Sequence, residues 1–181
     1  MDRDEAKIQQ ELLVEVVRCI QLKRVLSATN PDPEMNFWRL FSGGMLDLSV
    51  IDWCKIFGAN GEPTHWKGLV SDPDKFRNDM LLSLEIDEKE WSTYWNHMKS
   101  YRDEFVAHHQ RESKIKTYPV LDIAFKSSCF YYDHLARELA SPYGQGLDGK
   151  LEEYAQRFYD QAKEVAVAAS QATNGFKECV L

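Results

Sequence analysis

Glu88-Lys89-Glu90-Trp91-Ser92-Thr93-Tyr94-Trp95-Asn96-His97-Met98-Lys99-Ser100-Tyr101-Arg102-Asp103-Glu104-Phe105-Val106-Ala107-His108-His109 is the stretch on which the fold turns. Trp91, Tyr94, Met98, Tyr101, Phe105 and His108 recur at spacings of 3, 4, 3, 4 and 3 residues, which lines them up on one face of an α-helix. Asp87 with Glu90 three residues later resembles a capping box and marks the start. The reading is a helix from about Glu88 to His109, with its apolar stripe against a core.

The same period extends outward on both sides. A first helix from about Asp4 to Ala28 carries Ile8, Leu12, Val16, Cys19 and Leu26, widened by Leu13, Val17 and Ile20. Asn30-Pro31-Asp32-Pro33 ends it. A second, from about Glu34 to Phe57, is rich in Phe37, Trp38, Leu40, Phe41, Met45, Leu48, Ile51 and Trp53. Its internal Gly43-Gly44 costs roughly 1 kcal/mol per glycine in helix propensity. That implies close approach of a neighbouring helix or, alternatively, a break. Gly58 to Pro63 is a turn, and a short helix is expected from Thr64 to Val70. Ser71-Asp72-Pro73 offers a cap with Pro at a first helical position, opening another short helix near Asp74 to Leu84. After a polar, basic loop from Gln110 to Tyr118, Pro119 is expected to open a helix to about Ala140. Its stripe is Leu121, Phe125, Ser128, Tyr132, Leu135 and Leu139. A last helix from about Lys150 to Ala169 carries Leu151, Tyr154, Phe158, Ala162 and Val165. No segment alternates as a strand would. The expected architecture is an all-α bundle of four long helices with short inserts, one domain over residues 1–170 and a flexible tail over 171–181.

With 181 residues, 44% of them apolar, the chain can bury a sizeable core. Its net charge of −7 argues against broad, nonspecific nucleic-acid binding. From His97 to Thr117 the balance reverses. Lys99, Arg102, Arg111, Lys114 and Lys116 stand against Asp103, Glu104 and Glu112, a net +2. One reading is a local RNA-binding patch; the other is a solvated helix end, where cations favour the negative dipole. The four cysteines, Cys19, Cys54, Cys129 and Cys179, are scattered without a Cys-x-x-Cys pair. This points to a reducing, cytoplasmic setting and no zinc site. Met1 to Glu5 is charged, so no signal peptide is expected. No apolar run is long enough to span a membrane, and Cys179 stands one place too late for prenylation.

The candidate chemistry lies at the end of the quoted helix. Arginine offers a planar, permanently charged fork for phosphate oxygens. Histidine moves protons near neutral pH. On an ideal helix Arg102 lies ~20° from His109 but ~120° from His108. Arg102 therefore shares a face most easily with His109. It meets His108 only if the helix tightens, ends or meets a second copy. Glu104, one turn before His108, can orient that ring. His108 also continues the core stripe, so a hydrogen-bonded core histidine is the alternative. Metal chemistry finds little support. Glu62-Pro63-Thr64-His65 is a lone Glu-x-x-His in a turn, and His97 and His134 are isolated. No phosphate-gripping glycine loop or nucleophile elbow is present.

Arg102, Asp103, Ala107 and His108 at the end of a bundle helix resemble the Arg-x(4–6)-His signature of the HEPN superfamily. Asn36-Phe37-Trp38, Trp53 to Gly58, His65-Trp66 and Tyr118 to Asp122 resemble its abortive-infection AbiU-like branch. The resemblance covers roughly residues 5–140. It implies a four-helix up-and-down bundle and a metal-independent endoribonuclease without cofactor, of the kind found in antiphage and toxin–antitoxin defence. It also implies a composite site across a homodimer, with an antitoxin as a further partner. In that site His108 would be the base and Arg102 would stabilise the phosphorane. Asp103 would hold Arg102, and His109 would help or substitute. The family also includes members with no known cleavage activity, and the alternative reading is a non-catalytic HEPN-like module that binds a partner protein or a nucleotide, with Arg102 and His108 structural.

Overall fold

Local caps set where several helices begin. In the computed structural model, which describes residues 2–29, 31, 35–107, 117–139 and 150–176, the helices are α1 (Arg3–Thr29), α2 (Asn36–Phe57), α3 (Pro73–Leu84), α4 (Glu88–Tyr101), α5 (Asp122–Leu139) and α6 (Leu151–Thr173). No strand occurs among the described residues, and the protein is all-α. Asp72 accepts the Lys75 N–H ahead of Pro73, and Asp87 and Glu90 close a complete capping box at α4. α3 ends in a left-handed residue, Glu85 (φ 58°), with the Ile86 N–H returning to the Leu81 carbonyl.

Cross-links between helices give their relative directions. Six residues connect α1 to α2, and Lys23 Nζ meets Ser42 Oγ at 2.6 Å, so the two run antiparallel. Tyr131 donates to Gln9 near one end of α1, and Arg24 pairs with Asp122 near the other, which sets α5 antiparallel to α1. Trp95 Nε1 donates to the Phe57 carbonyl and Tyr101 to Asp47, so α4 runs against α2. α6 lies on α1 through Arg18–Tyr154 and Gln21–Ala155.

The core centres on aromatic rings where α2, α4 and α5 meet. Trp53 and Phe57 stack at 5.3 Å, Trp91 lies 5.8 Å from Trp53, and Tyr131 meets Phe57 edge-on at 6.0 Å. Trp53 is fully buried, and its indole N–H donates to Ser127 Oγ at 3.0 Å. The ring therefore buries its apolar area without an orphaned donor.

Several expectations need correction. The segment Thr64–Val70 forms only a 3₁₀ turn, Trp66–Gly68. Pro119 does not open α5: residues 118–121 carry no helix and α5 begins at Asp122. α6 runs past Ala169 to Thr173. Ile8 and Val165 are exposed, because the true stripes centre on Ala6, Leu13, Val17 and Ile20 in α1 and on Leu151, Ala155 and Ala166 in α6. α2 is unbroken through Gly43 and Gly44, and among the described residues a Cβ at either would meet nothing within 4 Å. The pair marks no break, and no close helix contact among the described residues. Gly58, past the end of α2, is the glycine that geometry requires: a Cβ there would stand 2.2 Å from the Cys54 carbonyl oxygen.

The largest correction concerns α4. It stops at Tyr101, and Arg102–Ala107 continue as a π-helical turn. The wider winding takes Phe105 out of the stripe and leaves it 40% exposed, whereas Trp91, Met98 and Tyr101 stay buried. His108, His109, Arg111, Lys114 and Lys116 lie outside the described residues.

Candidate functional site

Arg102 stands at the junction of α4 and the π turn. Its backbone N–H reaches both the Met98 and the Lys99 carbonyls, the shared bonding of a helix changing its winding. Through this turn the α-helical angles between Arg102 and later residues no longer apply, since π winding advances each residue differently. The Arg102 side chain is 22% exposed. Its Nε donates to Asp103 Oδ1 at 2.7 Å, and Nη1 lies 3.8 Å from Glu62 Oε1. The hydrogen bond to Asp103, above all, raises the Arg102 pKa above its ordinary value, against the opposing effect of burial. The guanidinium is thus a fixed cation with one firm carboxylate partner and one long one.

Asp103 therefore sits where it can hold Arg102. Glu104 is half-buried within the π turn. Lys99 lays its ammonium over the Trp95 ring, 4.2 Å from the centroid, a cation–π contact that ties down part of its charge. Glu62 was missed by sequence reasoning. It belongs to the turn after α2, and an ion pair across forty residues of chain leaves no local pattern.

On the neighbouring face, Tyr101 and Phe105 stack at 5.4 Å, and Tyr118 closes on Phe105 edge-on at 6.2 Å. They line an open groove of about 1060 Å³ together with Lys23, Arg24 and Arg39 and the carboxylates Asp47 and Asp122, the latter paired with Arg24. Burial, then its hydrogen bond to Asp47, pushes the Tyr101 hydroxyl far above its usual pKa, so it stays a neutral donor. Burial lowers the pKa of Lys23. Leu40 and Tyr118 at the groove are 77% and 66% exposed.

The remaining histidines have structural partners. His97 Nε2 lies 3.0 Å from the Thr117 carbonyl. His65 is buried, its Nδ1 accepts the Lys67 N–H, and burial lowers its pKa to about 4. His134 packs edge-on against Phe76 at 4.9 Å, its pKa also lowered by burial. Cys19, Cys54 and Cys129 are buried thiols pushed by burial to about 11, 12 and 12, inert as nucleophiles near neutral pH. Among the described residues no cluster of three or more His, Cys, Asp or Glu is placed to hold a metal, and no helix is long and apolar enough to cross a membrane. No family model matches the chain, and no curated protein or solved structure matches it.

Proposed function

We propose that the chain is a HEPN-like four-helix up-and-down bundle acting as a metal-independent endoribonuclease. The alternating directions of α1, α2, α4 and α5 support the bundle reading, with α3 and α6 as additions. The observation that carries the activity is Arg102. It is charged, partly exposed and anchored by Asp103 at a π turn, a feature frequent at functional sites. It lies next to residues that wall a groove lined by aromatic rings and by three cations, Lys23, Arg24 and Arg39, against two carboxylates. Stacking rings and cations are what unpaired RNA bases and phosphates require.

In this mechanism His108 deprotonates the RNA 2′-hydroxyl as general base. The 2′-oxygen attacks phosphorus, and Arg102 stabilises the negative charge on the phosphorane oxygens. The partner subunit's His108 protonates the leaving 5′-oxygen, which yields a 2′,3′-cyclic phosphate and a 5′-hydroxyl. The homodimer brings the two copies together. Glu62, at 3.8 Å, releases Arg102 to the phosphate, while the shorter Asp103 bond keeps its orientation. Antiphage or toxin–antitoxin defence, with an antitoxin as partner, is the biological setting this reading implies. The test is cleavage of single-stranded RNA in EDTA. Arg102→Lys should lower the rate by roughly 10²-fold, since an ammonium cannot replace the fork. Activity that vanishes in EDTA and returns with a divalent ion contradicts the mechanism.

The second reading is a non-catalytic HEPN-like module that binds a protein or nucleotide. The contact of Arg102 with a second carboxylate, Glu62, favours it, because two acidic neighbours compete with a phosphate.

A further inference from the structure

A second concavity lies apart from the motif, where the turn after α2 faces α3 and α4. It is a cavity of about 270 Å³ walled by Trp66, Trp91 and Trp95, with His65, Lys67 and Arg77 at its polar side. No carboxylate is among the residues that line it, although the chain carries 29 Asp and Glu against 22 Lys and Arg. Arg77 is only half satisfied. Its Nη2 lies 3.2 Å from Glu88 Oε1, but its buried Nε–H has no hydrogen-bond partner among the described residues. Buried donors in native proteins are nearly always paired; the Arg77 side chain as a whole is 36% exposed. His65 adds a second donor: Nδ1 already accepts the Lys67 N–H, so in the neutral ring the proton sits on Nε2.

We propose that this cavity binds a small planar organic carboxylate, its ring among the three indoles and its carboxylate on Arg77. The ring matches an apolar, aromatic wall. The single negative charge matches the local balance: Arg77 and Lys67 contribute two positive charges and Glu88 on Arg77 removes one. A phosphate monoester, near −2 at neutral pH, exceeds that balance. The site touches the Arg102 region only through Trp95, whose ring carries the Lys99 ammonium, and its chemistry does not depend on whether the chain cleaves RNA.

The experiment compares three probes on the wild-type protein: naphthalene-2-carboxylate, its neutral isostere naphthalene-2-carboxamide, and 2-naphthyl phosphate. Affinity is read by calorimetry, and location by the ¹⁵N indole signals of the 5 Trp. The carboxylate should bind at least about 10-fold more tightly than the carboxamide, whose N–H groups meet donors. It should shift the Trp66, Trp91 and Trp95 signals and leave Trp38 and Trp53 still. Arg77→Met should abolish the preference for the acid. The wild-type ratio of acid to amide needs no variant, so the proposal stays testable if Arg77→Met unfolds. Equal binding of acid and amide, tighter binding of the phosphate, shifts confined to Trp38 or Trp53, or no binding of any probe each overturns it.

Discussion

Replacing glycines one at a time should move stability in opposite directions, and the reason lies in α2. At Gly43 and Gly44 a Cβ would meet nothing within 4 Å among the described residues. The helix there gains nothing from glycine and bears its backbone entropy. Alanine should stabilise by roughly 1 kcal/mol at each position. For a chain of this size ~1 kcal/mol moves Tm by ~2–4 °C, so the double variant should melt ~4–8 °C higher. Gly58 is the opposite case. Its Cβ would lie 2.2 Å from the Cys54 oxygen, which already accepts the Gly58 N–H at 2.9 Å. The last turn of α2 must shift, and with it the Phe57 carbonyl that holds Trp95. A cost of ~1–3 kcal/mol follows, a fall in Tm of ~2–12 °C. The assay is thermal unfolding by far-UV circular dichroism at one fixed protein concentration, because assembly also raises Tm. A neutral Gly58→Ala, or a destabilising Gly43→Ala/Gly44→Ala, refutes this account of α2. The latter would mean that another surface packs on that face.

Two further predictions concern charge. The His65 pKa falls from 6.5 to about 4 on folding. The unfolded chain therefore takes up this proton first as pH drops, and stability is lost between those two values by at most ~3 kcal/mol. His65→Asn keeps an acceptor for the Lys67 N–H and should flatten that part of a urea-midpoint profile; an unchanged slope would show that His65 does not contribute. Glu62→Gln removes the long contact to Arg102. It should leave stability within about 1 kcal/mol and raise affinity for single-stranded RNA by up to about 5-fold. Fluorescence anisotropy that shows weaker binding would mean that Glu62 does not compete for Arg102.

What could be read from the residues followed the range of the interactions involved. The starts of α3 and α4 were legible because Asp72, Asp87 and Glu90 act within one turn of themselves. The aromatic core was legible in part, since Trp91, Met98 and Tyr101 keep helical spacing. The π turn was not: Arg102 to Ala107 continue an α-like pattern, and the change of winding shows only in the folded chain, in the shared Arg102 N–H and the exposure of Phe105. Gly43-Gly44 misled because a glycine pair within a helix suggests a contact whose partner no local pattern identifies. In the candidate site, Arg102 and Asp103 were visible as neighbours in the chain. Glu62 was invisible because its pairing depends on how the turn after α2 folds onto α4. The cavity at Arg77 was likewise invisible, since Trp91 and Trp95 of α4 meet Trp66 and Arg77 from other segments only in the folded chain.

The central claim is that Arg102 and His108 cleave RNA without a metal. The most direct test is the single-turnover cleavage rate of single-stranded RNA in EDTA, wild type against His108→Ala, with thermal melting of both proteins alongside. The account predicts cleavage to 2′,3′-cyclic phosphate ends by the wild type and a loss of roughly 10²–10⁴-fold in a variant that melts as a folded protein. A folded His108→Ala that cuts at the wild-type rate contradicts it.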